Sequence, residues 1–106
     1  MISEISVDEL ADLVERGVTV IDVRRPDEYE TAHVPGAVLV PLQEIPERLG
    51  DVPDDETAYV ICKVGGRSMK ACEFLVTQGY DVVNIAGGTD AWIESGRPTA
   101  SGPEPG

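Results

Sequence analysis

Positive charge is what this sequence has least of. Its 106 residues carry 8 Lys and Arg against 20 Asp and Glu, for a formal net charge of -12. Nucleic acids and anionic membrane surfaces both call for clustered basic side chains, so neither is an expected partner. Long apolar runs are missing too. No stretch approaches the roughly 20 residues of a membrane span, and the opening Met1-Ile2-Ser3-Glu4 has no basic-then-apolar leader. The expected location is cytoplasmic. Only 2 cysteines are present, and in a leaderless chain they read as free thiols rather than as a disulfide framework. Their spacing, Cys62 to Cys72, fits neither a redox Cys-x-x-Cys nor a four-ligand zinc site, so no metal is expected. The pair Gly87-Gly88 lacks the third glycine of a dinucleotide fingerprint, and no Gly-Lys-Ser/Thr occurs. No cofactor is expected.

What is there suits one compact domain. A chain of this length buries roughly two-thirds of the surface its unfolded form exposes and needs no staples. The apolar fraction of 42% with alternating element signals marks a globular chain. Residues 1–98 form the expected domain, and the Gly/Pro-rich stretch Thr99 to Gly106 is expected as a flexible tail.

Two kinds of segment alternate. Val18 to Val23, Ala37 to Val40, Ala58 to Ile61 and Asp81 to Ile85 are short runs rich in apolar and β-branched residues, and they read as buried strands. A short edge strand around Ile5 is a fifth candidate. Ser6-Val7-Asp8-Glu9 ahead of Leu10, Leu13 and Val14 is a capping box followed by helical spacing. Asp27 to Ala32 reads as a short acidic helix. Leu42, Ile45 and Leu49 share helical spacing around Pro46. Arg67 to Gln78 is the clearest helix, stopped by Gly79, and Thr89 to Glu94 is the last. Near-continuous apolar strands, each followed by a helix, predict a three-layer α/β fold with a parallel sheet covered on both faces.

In such a sheet, ligands bind beyond the carboxyl ends of the strands. Cys62 is the first residue past the strand ending in Ile61, and Gly65-Gly66 lead from it into the Arg67 helix. A glycine-bearing loop entering a helix turns backbone N–H groups inward and makes a cradle for negative charge. A cysteine at its rim is held as thiolate, below the free-thiol pKa of about 8.5. The basic residues reinforce this: Lys63, Arg67 and Lys70 fall within eight consecutive positions, a local positive spot for a small anion. The expected site is therefore Cys62 as nucleophile, with Lys63, Val64, Gly65, Gly66, Arg67 and Ser68 binding the anion. Asp22 and Arg24 lie at the same edge, where they shape the site or pair with each other. His33, the only histidine, enters the next strand at the opposite edge, where it supports the Pro35-Gly36 turn and is no base for Cys62. Cys72, among Ala71, Leu75 and Val76, reads as a small core residue. Gly87-Gly88 reads as a tight turn placing the helix of Trp92, itself a core residue.

Cys62-Lys63-Val64-Gly65-Gly66-Arg67-Ser68 resembles the active-site loop of the rhodanese-like sulfurtransferases. Also similar are Asp22-Val23-Arg24 with Glu28-Tyr29, His33-Val34-Pro35-Gly36-Ala37, Gly79-Tyr80, and Gly87-Gly88 before Ala91-Trp92, in order from about Glu4 to Pro98. The resemblance implies a five-stranded parallel sheet and a double displacement. Sulfane sulfur would pass from thiosulfate or a similar donor to Cys62, and from that persulfide to a thiol or cyanide-type acceptor. A sulfur-relay protein is a further possible partner. Cys62 maps onto the sulfur-carrying cysteine and Arg67 onto the basic residue closing the loop. Lys63 stands where Arg is commoner, keeping the charge without the bidentate fork, and Cys72 stands where a small residue such as Ala is usual. Two alternatives remain open. One is a catalytically silent binding module of the same fold. The other is a Cys-based phosphatase or arsenate reductase, although the phosphatase pattern places five residues between Cys and Arg, against the four here.

Overall fold

The computed structural model describes all 106 residues. Its chain order is β1 (Ser3–Ile5), α1 (Val7–Glu15), β2 (Thr19–Asp22), α2 (Pro26–Thr31), β3 (Val38–Leu39), β4 (Ala58–Ile61), α3 (Gly66–Thr77), β5 (Val82–Ile85) and α4 (Gly88–Glu94). Local chemistry accounts for the boundaries. Ser6 Oγ accepts from the Glu9 N–H at 3.2 Å while Glu9 Oε1 accepts from the Ser6 N–H at 3.2 Å, so both ends of the capping box are made. Pro26 opens α2 at a position where its missing N–H costs nothing. The Leu42 and Ile45 spacing resolves into 3-10 turns, Leu42–Glu47 and Leu49–Asp51, rather than an α-helix. Pro46 has no N–H to donate to an α-helical ladder, and the tighter turns hold the segment instead.

All five strands are parallel, in the order β1-β5-β4-β2-β3. β4 lies at the centre, and the crossovers leave helices on both faces. One face buries Ile21, Val60, Ala71, Cys72 and Leu75 under α3 and the 3-10 segment. The other buries Leu10, Val20, Tyr29, Ile61, Ile85 and Trp92 under α1, α2 and α4. Side chains alternate along a strand. Ala58, Val60 and Cys62 therefore share the α3 face, which aims the Cys62 side chain at the start of α3.

Residues 99–106 do not hang free, as their composition suggested. Ala100 exchanges two backbone hydrogen bonds with His33, each 2.9 Å, and the Gly102 N–H reaches Glu30 O at 2.8 Å. Pro105 O accepts from the Gly36 N–H at 2.8 Å. Glycine and proline content lowers the tail's own propensity for regular structure, yet it leaves carbonyls and N–H groups free to dock on an existing surface.

Candidate active site: the Cys62 cradle

Cys62 follows the central strand, and its sulfur sits on the floor of the loop rather than at its rim, with the residue 1% exposed. Gly65 has a φ of 118°, a conformation that favours glycine, and stands just before α3. That turn folds the peptides of the loop over the sulfur. The Gly65 N–H donates to Cys62 Sγ at 3.0 Å, the Ser68 hydroxyl lies 3.3 Å from it, and the backbone N–H groups of Ser68 and Val64 also point at it. Burial pushes the Cys62 thiol up. The Ser68 hydroxyl and the Ser68, Gly65 and Val64 N–H groups together outweigh it, leaving the pKa below its ordinary value. Cys72 has burial without donors, and its thiol is pushed up to about 12, with Glu73 and other negative groups adding to the effect.

The other loop residues divide. Gly66 opens α3, and the Val64 side chain stands in solvent at 62% exposure. The two loop cations do not face the sulfur as bare charges. Arg67 forms a bidentate pair with Glu28 from α2, at 2.7 and 3.0 Å. Lys63 pairs with Asp90 from α4 at 2.7 Å. Two of the three cations of the local positive spot read from the sequence are thus paired with acids 39 and 27 positions away in the chain, and the thiolate is favoured by neutral dipoles. The hydrogen bonds from Arg67 also hold the Glu28 carboxyl at about 2. Asp22 and Arg24 are buried and joined through a 2.8 Å ion pair. Arg24 also donates to Ala32 O at 2.8 Å, tying the β2–α2 connection to the far end of α2.

His33 is fully buried, stacked on Tyr29 at a centroid separation of 3.7 Å. Its ring nitrogens face Tyr29 O at 2.7 Å and Pro105 O at 3.1 Å, with no contact to the loop. An open cleft of about 280 Å³ runs beside the loop, with Glu28, Lys63, Asp90 and Ile93 among its walls.

Three residues, Gly88, Asn84 and Glu28, take roles at the site that the sequence reading did not give them. Gly88, at a φ of 59°, lets α4 approach the loop so closely that a Cβ there would lie 2.5 Å from Lys63 O and 2.6 Å from Cys62 O. The approach lets the Thr89 N–H reach Cys62 O at 2.8 Å and the Asp90 N–H reach Lys63 O at 3.0 Å. Those bonds turn the loop carbonyls outward and its N–H groups toward the sulfur. Gly87-Gly88 is therefore a clamp on the loop as well as a turn. Asn84 on β5, fully buried, touches Ser68 and donates to Glu4 Oε2 at 2.7 Å. A lone amide in the apolar run Val82-Val83-Asn84-Ile85, at the parity that faces α3, was the signal available. Glu28 stood in the sequence only as part of a short acidic helix and of the Glu28-Tyr29 segment of the resemblance, with nothing to pair it with Arg67.

The comparisons agree with this geometry. A family model described as the rhodanese-like domain matches residues 6–95. A sulfurtransferase of Allochromatium vinosum is 35% identical over 101 residues, which cover 92% of this chain and 94% of that protein. A thiosulfate sulfurtransferase of Escherichia coli K12 is 46% identical over 70 residues, 64% of this chain and 67% of that one. The crystal structure of a rhodanese-related protein from Thermoplasma volcanium superposes with a TM-score of 0.86 at 33% identity, covering 92% of this chain and 97% of its own. By its sheet order, its cysteine-bearing loop and these relatives together, this chain belongs to the rhodanese-like domain family.

Proposed function

We propose that the protein transfers sulfane sulfur from thiosulfate or a similar small donor to a thiophilic acceptor, through a persulfide on Cys62. The observation that carries this reading is the convergence of N–H and hydroxyl donors on one buried sulfur at the start of α3. A thiolate held there needs no general base. Its lone pair attacks the outer sulfur of thiosulfate and forms the new S–S bond. The sulfur–sulfur bond of thiosulfate breaks, and its electron pair leaves with sulfite. The Cys62 persulfide anion then rests in the same donors. In the second half, the acceptor takes the outer sulfur and the bond pair returns to Cys62 as thiolate. With cyanide the product is thiocyanate, and neither half requires an external oxidant or reductant. The open cleft borders the loop at Lys63 and at Glu28, the partner of Arg67. The thiosulfate specificity in the name of the Escherichia coli relative supports that donor class.

Intact-protein mass spectrometry after incubation with thiosulfate tests the reading directly. One added sulfur atom is expected, and it is lost on adding cyanide. Cys62→Ser abolishes both the adduct and turnover. Cys72→Ala keeps both, because a buried thiol with its pKa pushed up to about 12 forms no thiolate at neutral pH. A wild-type protein that takes up no sulfur from any donor would leave the binding module as the better account.

A further inference from the structure

Ser68 has one hydroxyl proton and three acceptors around it. Cys62 Sγ lies at 3.3 Å, Gly65 O at 3.2 Å, and Asn84 Oδ1 closer than either. Gly65 O, with two lone pairs, already receives the Met69 N–H at 3.2 Å and the Asn84 side-chain N–H at 3.4 Å, so the contest is between the sulfur and the amide oxygen. The orientation of that amide is fixed by chemistry. Its nitrogen faces two acceptors, Glu4 Oε2 at 2.7 Å and Gly65 O at 3.4 Å. Turning it over would set its oxygen against a carboxylate and a carbonyl. The strand register enforces the arrangement, since Glu4 on β1 is the direct partner of Asn84 on β5. Asn84 Oδ1 therefore faces Ser68 as an acceptor, Asn84 is fully buried, and Ser68 is its only hydrogen-bond donor in the structure.

We propose that Asn84 is a positioning residue that acts on Cys62 through Ser68, by competing with the sulfur for the single Ser68 proton. With Cys62 as thiol, the bonds run in one direction: S–H to Ser68 Oγ, Ser68 O–H to Asn84 Oδ1, Asn84 N–H to Glu4. Aligned bonds of this kind strengthen one another. With Cys62 as thiolate or persulfide, the Ser68 proton swings to the anion, the stronger acceptor, and Asn84 Oδ1 is left buried without a donor. Asn84 thus opposes the loop N–H groups. Its use lies in nucleophilicity, because a thiolate with a strongly depressed pKa attacks poorly, and the best attacking thiol has a pKa near the ambient pH.

The proposal rests on the reading of Cys62 as a thiolate nucleophile, but its test uses no sulfur donor, so either can fail alone. The rate of alkylation by iodoacetamide is followed against pH, with Cys62 read by peptide mass spectrometry. Ser68→Ala moves the Cys62 midpoint upward. Asn84→Leu, which removes the competing acceptor at similar volume, moves it downward by about 0.5 to 1 pH unit, the worth of one net hydrogen bond. It also lowers the limiting rate at high pH by about twofold, as a Brønsted slope of about 0.4–0.5 requires. In the Ser68→Ala background, Asn84→Leu has no effect on the midpoint. A second measurement needs no variant of Asn84: in the unmodified protein its side-chain amide resonances titrate with Cys62, and in Cys62→Ala they do not. A midpoint that rises or stays put in Asn84→Leu, an equal fall with Ser68 absent, or amide resonances indifferent to Cys62 each overturn the proposal.

Discussion

Replacing Gly88 by Ala probes the part of the site that no side chain marks. Two separate penalties apply. The first is conformational: a φ of 59° is left-handed backbone, which costs an L-residue about 1–2 kcal/mol. The second is steric. The new methyl would stand 2.5 Å from Lys63 O and 2.6 Å from both Cys62 O and Lys63 C, backbone atoms with no flexible end to yield. Relief requires α4 to move off the loop, which stretches the Thr89 N–H bond to Cys62 O, the Asp90 N–H bond to Lys63 O and the 3.0 Å Thr89 hydroxyl bond to Cys62 O. Three bonds at about 0.5–1.5 kcal/mol each add about 1.5–4.5 kcal/mol. The expected total is about 2.5–6.5 kcal/mol, a large share of the ~5–15 kcal/mol that holds a typical domain together.

Gly17 is the control. Its φ of 85° imposes the backbone penalty, but no atom lies within 4 Å of its would-be Cβ. Gly17→Ala should therefore lose only about 1–2 kcal/mol. Urea unfolding of the two variants, compared at equal slope, isolates the close approach. Gly88→Ala should also raise the Cys62 midpoint, because the loop carbonyls lose the partners that keep the N–H groups aimed at the sulfur. If the two variants unfold within about 0.5 kcal/mol of each other, about the spread of an ordinary surface change, the α4 clamp is not what holds the loop.

Two further outcomes follow from the Glu28–Arg67 pair. Glu28→Gln removes the internal carboxylate from Arg67 at constant size. The KM for thiosulfate should fall severalfold with kcat little changed, as steady-state kinetics will read. A rise in KM would show that Glu28 aims Arg67 at the anion instead of competing with it. The same pair should also make the fold acid-sensitive. Glu28 titrates at about 2 in the folded protein and near 4.3 in the unfolded chain. A depressed folded pKa contributes stability that is complete above the unfolded value and lost as pH falls toward the folded one. Urea midpoints of the wild type should drop between about pH 5 and pH 2 more steeply than those of Glu28→Gln, and identical profiles would refute the assignment.

The strands, the capping box and the position of Cys62 were legible because each is written in adjacent residues. Ala58 to Ile61 is a strand by composition alone, and the capping box at Ser6 closes within four positions. The parity that places Cys62 on the α3 face follows from counting along β4. What the residues could not convey arrives from other elements. Lys63, Arg67 and Lys70 look like a positive spot in one dimension, but Glu28 and Asp90 come to two of them across crossovers. Asn84 and Glu4 meet only because β1 and β5 are neighbours at one side of the sheet. The docking of the tail depends on His33 and Gly36 offering backbone groups where Ala100 and Pro105 pass, and its composition carries no trace of that.

The neutral loop also explains how a protein with a net charge of -12 can lower the pKa of a thiol. Charge repulsion from the acidic surface acts through water and is largely screened beyond about 8–10 Å at physiological salt. The Gly65 N–H at 3.0 Å and the Ser68 hydroxyl at 3.3 Å act at contact, on the sulfur of a residue only 1% exposed. Dipoles at that range need no net charge, so Lys63 and Arg67 can be held by Asp90 and Glu28 without releasing the thiolate. Holding them that way separates two tasks that the loop sequence merges. The donors of the loop favour the Cys62 thiolate, while the paired cations remain available to an arriving anion that can displace a carboxylate. The fold can thus carry an acidic surface and a reactive thiolate together, because the ionisation of Cys62 is set by the path of the chain from β4 into α3 and by the helix that clamps it.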